Sequence, residues 1–516
     1  MRRLTAFAVL MSALSIATCT EAPDSRTTTL IANVRVVDGT GAPARAASVR
    51  IEGDRIAAVG DLEPAPGETV VDGHGLVLAP GFIDTHSHYD RGLEDDRSAL
   101  GGVTQGITTT IVGQDGDSHF PIREYFERLE EAPAAINVAS FAGHGTVRHE
   151  VMGDDFRRAA APAEIDRMRE LLRDELDAGA LGLSTGLEYD PGIYAETEEI
   201  VDLAREAARA GGRYASHIRS EDRRLFAAIE EIIRIGDEAG IPVQVTHMKL
   251  AMHSLWGQAD RLLARLDEAR AAGVDVTACV YPYEYWQSTL TVLFPERDFE
   301  DREAAAFALD ELAPPEGMRL TRFDPDPAIV GKTIAEIAEL RGVDPVTAYL
   351  DLIAESQALA AETGESTESV LGTSMDPDDV ARLIAWPHTE ICTDGELAGR
   401  HPRGFGTFPR VLRRYVRESA TLTLEQAVHK MSGLPARHMG LVDRGVIRAG
   451  AFADLVLFDP ATVADRATVE EPRLPSVGVD RVWVNGVEVY SAGAPTGAYP
   501  GRVIRRARQG GLDVPS

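Results

Sequence analysis

Cysteine and lysine are the scarce residues of this 516-residue chain: each occurs three times, cysteine at positions 19, 279 and 392 and lysine at 249, 332 and 430. So few thiols exclude a disulfide framework, and Cys279 and Cys392, set in apolar strand-like runs, read as small buried core residues. Positive charge is short as well, with 52 Lys+Arg against 82 Asp+Glu and a net charge of −30. That balance lacks the basic footprint that nucleic acid or an anionic membrane surface requires. The apolar run from Leu4 to Ala17 is too short to cross a bilayer. What is present is 44% hydrophobic residues, enough for a large core and against disorder as the dominant state. The length suits two or three domains, or one α/β barrel with insertions.

Residues 1–19 place Arg2 and Arg3 ahead of that apolar run, the charged and apolar regions of a secretory signal. The run ends Ile16-Ala17-Thr18-Cys19. Two readings stay open: a bacterial lipoprotein signal in which Cys19 is acylated, or ordinary cleavage nearby, because Thr18 departs from the small residues usual at that place. Either predicts an exported protein, periplasmic or lipid-anchored at the membrane.

From Thr28 to Ala79 short apolar runs alternate with Gly, Pro and Asp, with Gly53-Asp54 and Asp72-Gly73 as hairpin signals. The same texture returns after residue 440. We therefore expect one small β domain assembled from both termini, 27–79 with 440–505. Between them, residues 80–439 alternate apolar runs (77–88, 106–113, 136–143, 179–186, 212–218, 241–247, 274–283 and 389–394) with amphipathic helical stretches such as 163–178, 198–210, 225–239 and 260–272. Eight strand candidates separated by helices predict an α/β fold, a parallel (β/α)8 TIM barrel. A helical, acidic stretch at about 296–386 reads as an insertion before the last strand.

Barrel active sites form where the strands end. The first run ends Asp84-Thr85-His86-Ser87-His88, and strand alternation puts His86 and His88 on one face, able to hold one metal ion together. Alone that motif is weak. The signal strengthens because the fifth run ends in His217, the sixth in His247 and the eighth in Asp394. Four imidazoles and a carboxylate suit zinc or another divalent metal, as one ion or two. Lys249 shares the inward face with His247, and a buried cation there calls for an anion such as a substrate carboxylate. Tyr189, Tyr283 and Arg403 are weaker candidates for the same pocket, and His144 for a residue supporting the ligands from behind.

At this point the chain resembles the amidohydrolase superfamily and, within it, the N-acyl-D-amino-acid deacylases (D-aminoacylases), over nearly all of residues 28–500. The segments that carry the resemblance are PGFIDTHSHYD (80–90), GLSTGLEYDPG (182–192), YASHIRSE (214–221), THMKLA (246–251), HPRGFGTFPRVLRRYVRE (401–418) and MSGLPARHMGLVDRGVIRAGAFADLVLFDP (431–460). The resemblance implies a distorted TIM barrel with a small β-sandwich domain built from both termini, metal held by His86, His88, His217, His247 and Asp394, hydrolysis of a linear amide, and Lys249 on the substrate α-carboxylate. It also implies Asp394 as general base and then general acid. Many amidohydrolases bridge two metals with a carboxylated lysine from strand four; with no lysine before Lys249 that subtype is excluded. D-Aminoacylases use instead a cysteine after strand two, and here Gly113-Gln114-Asp115-Gly116 puts Asp115 in its place. Asp115 is either a metal ligand, harder than a thiolate and less biased to zinc, or a turn-forming or supporting residue.

The expected activity is that of an exported metal-dependent amidohydrolase that releases D-amino acids from their N-acyl derivatives. A D-specific dipeptidase, or another exported amidase using the same site, is the alternative. A silent solute-binding lipoprotein is disfavoured because no candidate ligand is missing. Neither GxxxxGK[ST] nor GxGxxG occurs, so no nucleotide site is argued, and Gly-x-Ser-x-Gly is read as absent around the strand-ending serines, which counts against a serine hydrolase.

Overall fold

In the computed structural model, residues 28–507 are described. The expected signal segment, with Cys19, lies outside them. Among the described residues no helix is long and apolar enough to cross a membrane.

Eight short parallel strands form the barrel: β1 (Phe82–Asp84), β2 (Ile107–Val112), β3 (Asn137–Ser140, continued by Ala142–Gly143), β4 (Gly182–Gly186), β5 (Arg213–His217), β6 (Val243–Val245), β7 (Val276–Val280) and β8 (Thr389–Ile391). Their residues are almost all buried, as expected of strands covered on both faces. The ring is distorted at two places. At Phe141, β3 changes partner: Asn137–Ser140 pairs with β2, whereas Ala142–Gly143 pairs with β4. Between β8 and β1 the closure relies on a side chain, since Asp84 accepts from Thr393 N at 2.9 Å and Thr393 Oγ1 at 2.5 Å. Two backbone bonds, Asp394 N to His86 O and His88 N to Gly395 O, both 2.9 Å, then tie the two strand ends that carry site residues.

Helices cover the outside. Leu225–Ala239 buries Ile229, Ile232 and Ile233 and brings Gly236 so close to Val243 and Val274 that a Cβ would sit about 3 Å from their methyls. It stops at Gly240, whose φ of 63° is the left-handed conformation glycine adopts without penalty.

The structure departs from the expected boundaries in three ways. Run 77–88 is divided: Val77–Pro80 pairs within the terminal β domain, and the barrel starts only at Phe82. Asp72-Gly73 makes no hairpin, because Thr69–Asp72 and Val77–Pro80 both run parallel to Thr28–Val36; Gly53-Asp54 does join two antiparallel strands. The insertion is shifted toward the N-terminus of its expected span. An antiparallel sheet of Tyr285–Ser288, Glu368–Thr373 and Met318–Phe323 has its own core with Pro345–Thr363, while Pro377–Ala385 packs back on the barrel. The unit therefore spans 285–373 rather than 296–386. Helical periodicity alone could not separate an inserted helix from a barrel helix.

The β domain is one hydrogen-bonded nine-stranded sheet drawn from both ends of the chain. Ile31, Val49 and Ile51 from the N-terminal strands share a core with Leu455, Leu457 and Trp483 from the C-terminal ones.

Candidate active site

The side chains singled out at the strand ends converge on the C-terminal mouth of the barrel. His86 and His88 follow β1, Asp115 follows β2, His217 ends β5, and His247 and Asp394 lie just past β6 and β8. Asp115, His247 and Asp394 have φ of 55°, 33° and 47°, left-handed values uncommon for residues with a Cβ. Strain of this kind clusters at functional sites. At Asp115 the backbone also lies against β4, where a Cβ on Gly186 would be 2.1 Å from Asp115 O.

Two groups of donor atoms share Asp115: His86, His88, Asp115 and Asp394 form one, Asp115, His217 and His247 the other. Asp115 Oδ2 is 3.5 Å from His86 Nε2 and 3.3 Å from His88 Nε2, and Asp394 Oδ1 is 3.4 and 3.3 Å from the same nitrogens. Asp115 Oδ1 is 3.4 Å from His247 Nε2. These separations exceed normal N–H···O bonds, while ligands about 2.0–2.1 Å from a tetrahedral ion stand about 3.3 Å apart. Both ring nitrogens of the buried His86 lack a hydrogen-bond partner. The donor set and its spacing fit divalent metal ions.

The field inside the cluster is strong. Burial alone would raise the Asp394 carboxyl, but Arg403, His247, His86 and His88 hold it well below the carboxylate range. Asp115 is lowered in the same way against its burial, chiefly by His86 and His247. In return, His88, which burial would lower, is pushed up to about 9 by Asp115 and Asp394.

The site opens into a cavity of about 860 Å³, whose walls include His88, Asp115, Tyr189 and Asp394 from the barrel and Arg322 and Glu368 from the insertion. Beside the histidines lies a smaller pocket with Lys249, Tyr281 and Arg403, and with Trp286, Leu293 and Leu312 as its apolar wall. Arg403 pairs with Asp394 Oδ2 at 2.7 Å and stacks 4.8 Å above the Tyr281 ring. Tyr189 packs its ring 4.3 Å from that of His217. The Tyr281 hydroxyl and Arg403 Nε are buried without partners, so two free polar groups adjoin Lys249.

Two expected residues are elsewhere. Tyr283 is buried under residues 402–410, its hydroxyl 3.4 Å from Pro402 O and its ring beneath Arg410. Tyr281, two residues earlier, takes the pocket position instead. His144 starts the helix His144–Met152 and gives Nε2 to Glu199 at 2.8 Å, in a buried pair that Glu199 also makes with Arg148. That network braces two helices and does not reach the ligands. The sequence does contain one Gly-x-Ser-x-Gly, Gly182–Gly186, but Ser184 sits inside β4 with its hydroxyl donating to Gly113 O at 2.6 Å. No exposed nucleophile elbow exists there.

Glu188 and Glu221 were not singled out from the sequence and prove to touch the site. Glu188 Oε2 lies 2.8 Å from His217 Nε2, and Glu221 Oε1 lies 2.9 Å from His247 Nδ1 and 2.5 Å from Lys249 Nζ. Glu221 stands four residues after His217 in the segment YASHIRSE and Glu188 lies in GLEYDPG, so their motifs were legible although their roles were not.

A parallel barrel that gathers four imidazoles and two carboxylates at one mouth is laid out as a hydrolase built around divalent ions. Residues 69–490 match the Amidohydrolase family, and the chain belongs to it. It is 40% identical over 495 residues to N-acyl-D-glutamate deacylase of Alcaligenes xylosoxydans xylosoxydans, covering 91% of this chain and 95% of the relative. To the D-aminoacylase of the same organism it is 38% identical over 502 residues, covering 92% and 97%. Among solved structures, the N-acyl-D-glutamate deacylase of Bordetella bronchiseptica, complexed with zinc and a phosphonate inhibitor that mimics the tetrahedral intermediate, superposes with a TM-score of 0.83. That match has 37% identity and covers 93% of this chain and all of the other.

Proposed function

We propose that the protein is an exported deacylase that hydrolyses N-acyl-D-amino acids to a carboxylate and a D-amino acid. The observation that carries the reading is the junction of the ligand cluster with the Lys249–Tyr281–Arg403 pocket: a hydrolytic centre beside an anion site suits an amide whose leaving group carries an α-carboxylate. The named activities of the relatives support the same class.

His86, His88, Asp115 and Asp394 would hold one divalent ion and Asp115, His217 and His247 a second, zinc being the first candidate. Bound there, such ions supply Lewis acidity that activates water and polarises the scissile carbonyl. Asp394 is placed to take the proton of the attacking water and return it to the leaving nitrogen, as base and then acid. Arg403 on Asp394 Oδ2 keeps that carboxylate ionised and oriented between proton transfers. Lys249 and Tyr281 anchor the α-carboxylate and thereby fix which enantiomer presents its carbonyl to the cluster. Tyr189 closes the pocket over His217.

The test is hydrolysis of N-acetyl-D- against N-acetyl-L-amino acids, with D-dipeptides assayed in parallel and activity removed by chelator and restored by zinc. Release of D-amino acids only is expected. Equal turnover of L substrates, or activity indifferent to chelation, would overturn the reading. Export rests on Arg2, Arg3 and the run Leu4–Ala17. Fractionation of the full chain against a Cys19→Ala variant tests both export and lipidation: a parent that stays in the cytoplasm rejects export.

A further inference from the structure

Resting on the metal reading above, we infer that Glu188 and Glu221 are positioning residues that hold His217 and His247 in opposite tautomers, so that both rings turn bare nitrogens toward one cation. A neutral imidazole carries one N–H. His217 faces Glu188 Oε2 with Nε2 at 2.8 Å, and His247 faces Glu221 Oε1 with Nδ1 at 2.9 Å. Each carboxylate takes the N–H of its ring. The remaining nitrogens, His217 Nδ1 and His247 Nε2, lie 2.9 Å apart, which a proton on either would make a hydrogen bond; with both protons held by the carboxylates, two lone pairs meet there instead. With no proton between them they repel, and a cation shared by both relieves that repulsion.

The two carboxylates are themselves held. Arg297 of the insertion donates to Glu188 O at 2.9 Å and pairs with the neighbouring Asp190 at 3.0 Å, fixing the backbone from which Glu188 reaches His217. Lys249 Nζ lies 2.8 Å from His247 Nδ1 but 2.5 Å from Glu221 Oε1. On this assignment the ammonium and the ring N–H share the Glu221 carboxylate as their common acceptor. Both glutamates keep little exposure, 16% and 11% of their side chains, so water competes weakly for these bonds. The arrangement is one-sided: among the described residues His86, on the other half of the cluster, has no partner at Nδ1. The inference thus concerns one ion position and not the other.

The experiment titrates the ion-free full-length protein with Zn²⁺ against a chromophoric chelator. The phase that disappears in His217→Ala marks the His217–His247 position. Glu188→Ala and Glu221→Ala are expected to weaken that phase about 10–100-fold and to leave the other within about threefold. Glu188→Gln and Glu221→Gln keep an acceptor oxygen without the charge, so a smaller loss confined to the same phase is expected. These variants decide the matter if the alanine forms do not fold. Parent-like affinity in the variants, or an equal loss in both phases, overturns the inference. Because the readout is metal binding, it separates from the substrate reading: a protein that hydrolyses no N-acyl-D-amino acid but shows the selective loss rejects the activity and keeps the tautomer assignment.

Discussion

Asp394 faces two ways, one oxygen toward His86 and His88 and the other on Arg403, which suits a group that must be a ligand neighbour and a proton carrier in turn. Replacing it with asparagine preserves its size and removes the base. Asp394→Asn should therefore melt as the parent does and lose about 10²–10⁴-fold in kcat, measured by steady-state hydrolysis of an N-acyl-D-amino acid. Asp115 makes a separate claim, because its two oxygens serve both donor groups. Asp115→Ala should lower the zinc content per chain, read by elemental analysis of the purified protein. Protons compete for the same nitrogens. Without a cation His88 stays protonated up to about pH 9, while a metal needs the bare ring, so zinc affinity should rise between pH 6 and 9 with protons released. Calorimetric titration in buffers of different ionisation enthalpy measures that release. The histidines and Asp394 were legible because strand ends announce themselves in the sequence. The Tyr281/Tyr283 choice was not: the chain has already left β7 at Val280, and the contacts with Pro402 and Arg410 that turn Tyr283 away come from more than a hundred residues downstream.

At the scale of elements, all eight barrel strands appeared as apolar runs, yet their ends blurred wherever one run serves two sheets. Val77–Asp84 reads as continuous because both of its destinations are buried. The insertion contributes Glu368 to the cavity wall, with one oxygen accepting from Leu290 N at 2.8 Å and the other unpartnered. Burial pushes this carboxyl up to about 7, against the Leu290 bond and Arg322. A folded-state value above the unfolded one stabilises fully at low pH, and that contribution fades as pH rises through 7. Glu368→Gln should thus raise stability at pH 8 by about 1–2 kcal/mol and change little at pH 5, checked by denaturant titration at both.

For the whole molecule, the two-ended β domain was readable from the matching texture of both termini, but its attachment to the barrel was not. That attachment is a buried polar knot. Asp454 pairs with Arg444 and accepts from Asn485 N at 2.7 Å, and Asn485 donates to Asn137 Oδ1 of β3 at 2.8 Å. Removing the carboxylate strands a buried guanidinium. Asp454→Ala should cost about 3–5 kcal/mol in unfolding free energy while leaving zinc stoichiometry unchanged in the folded fraction.

The same composite sheet sets a schedule for synthesis. Val77–Pro80 runs directly into β1 and its histidines, yet its antiparallel partner Leu455–Phe458 emerges about 375 residues later, roughly 20–75 s at ordinary elongation rates. Throughout that interval the N-terminal strands present an open edge, and every residue of the metal-binding mouth emerges before the strands that complete this domain. The domain whose strands are made first is thus the last to be completed.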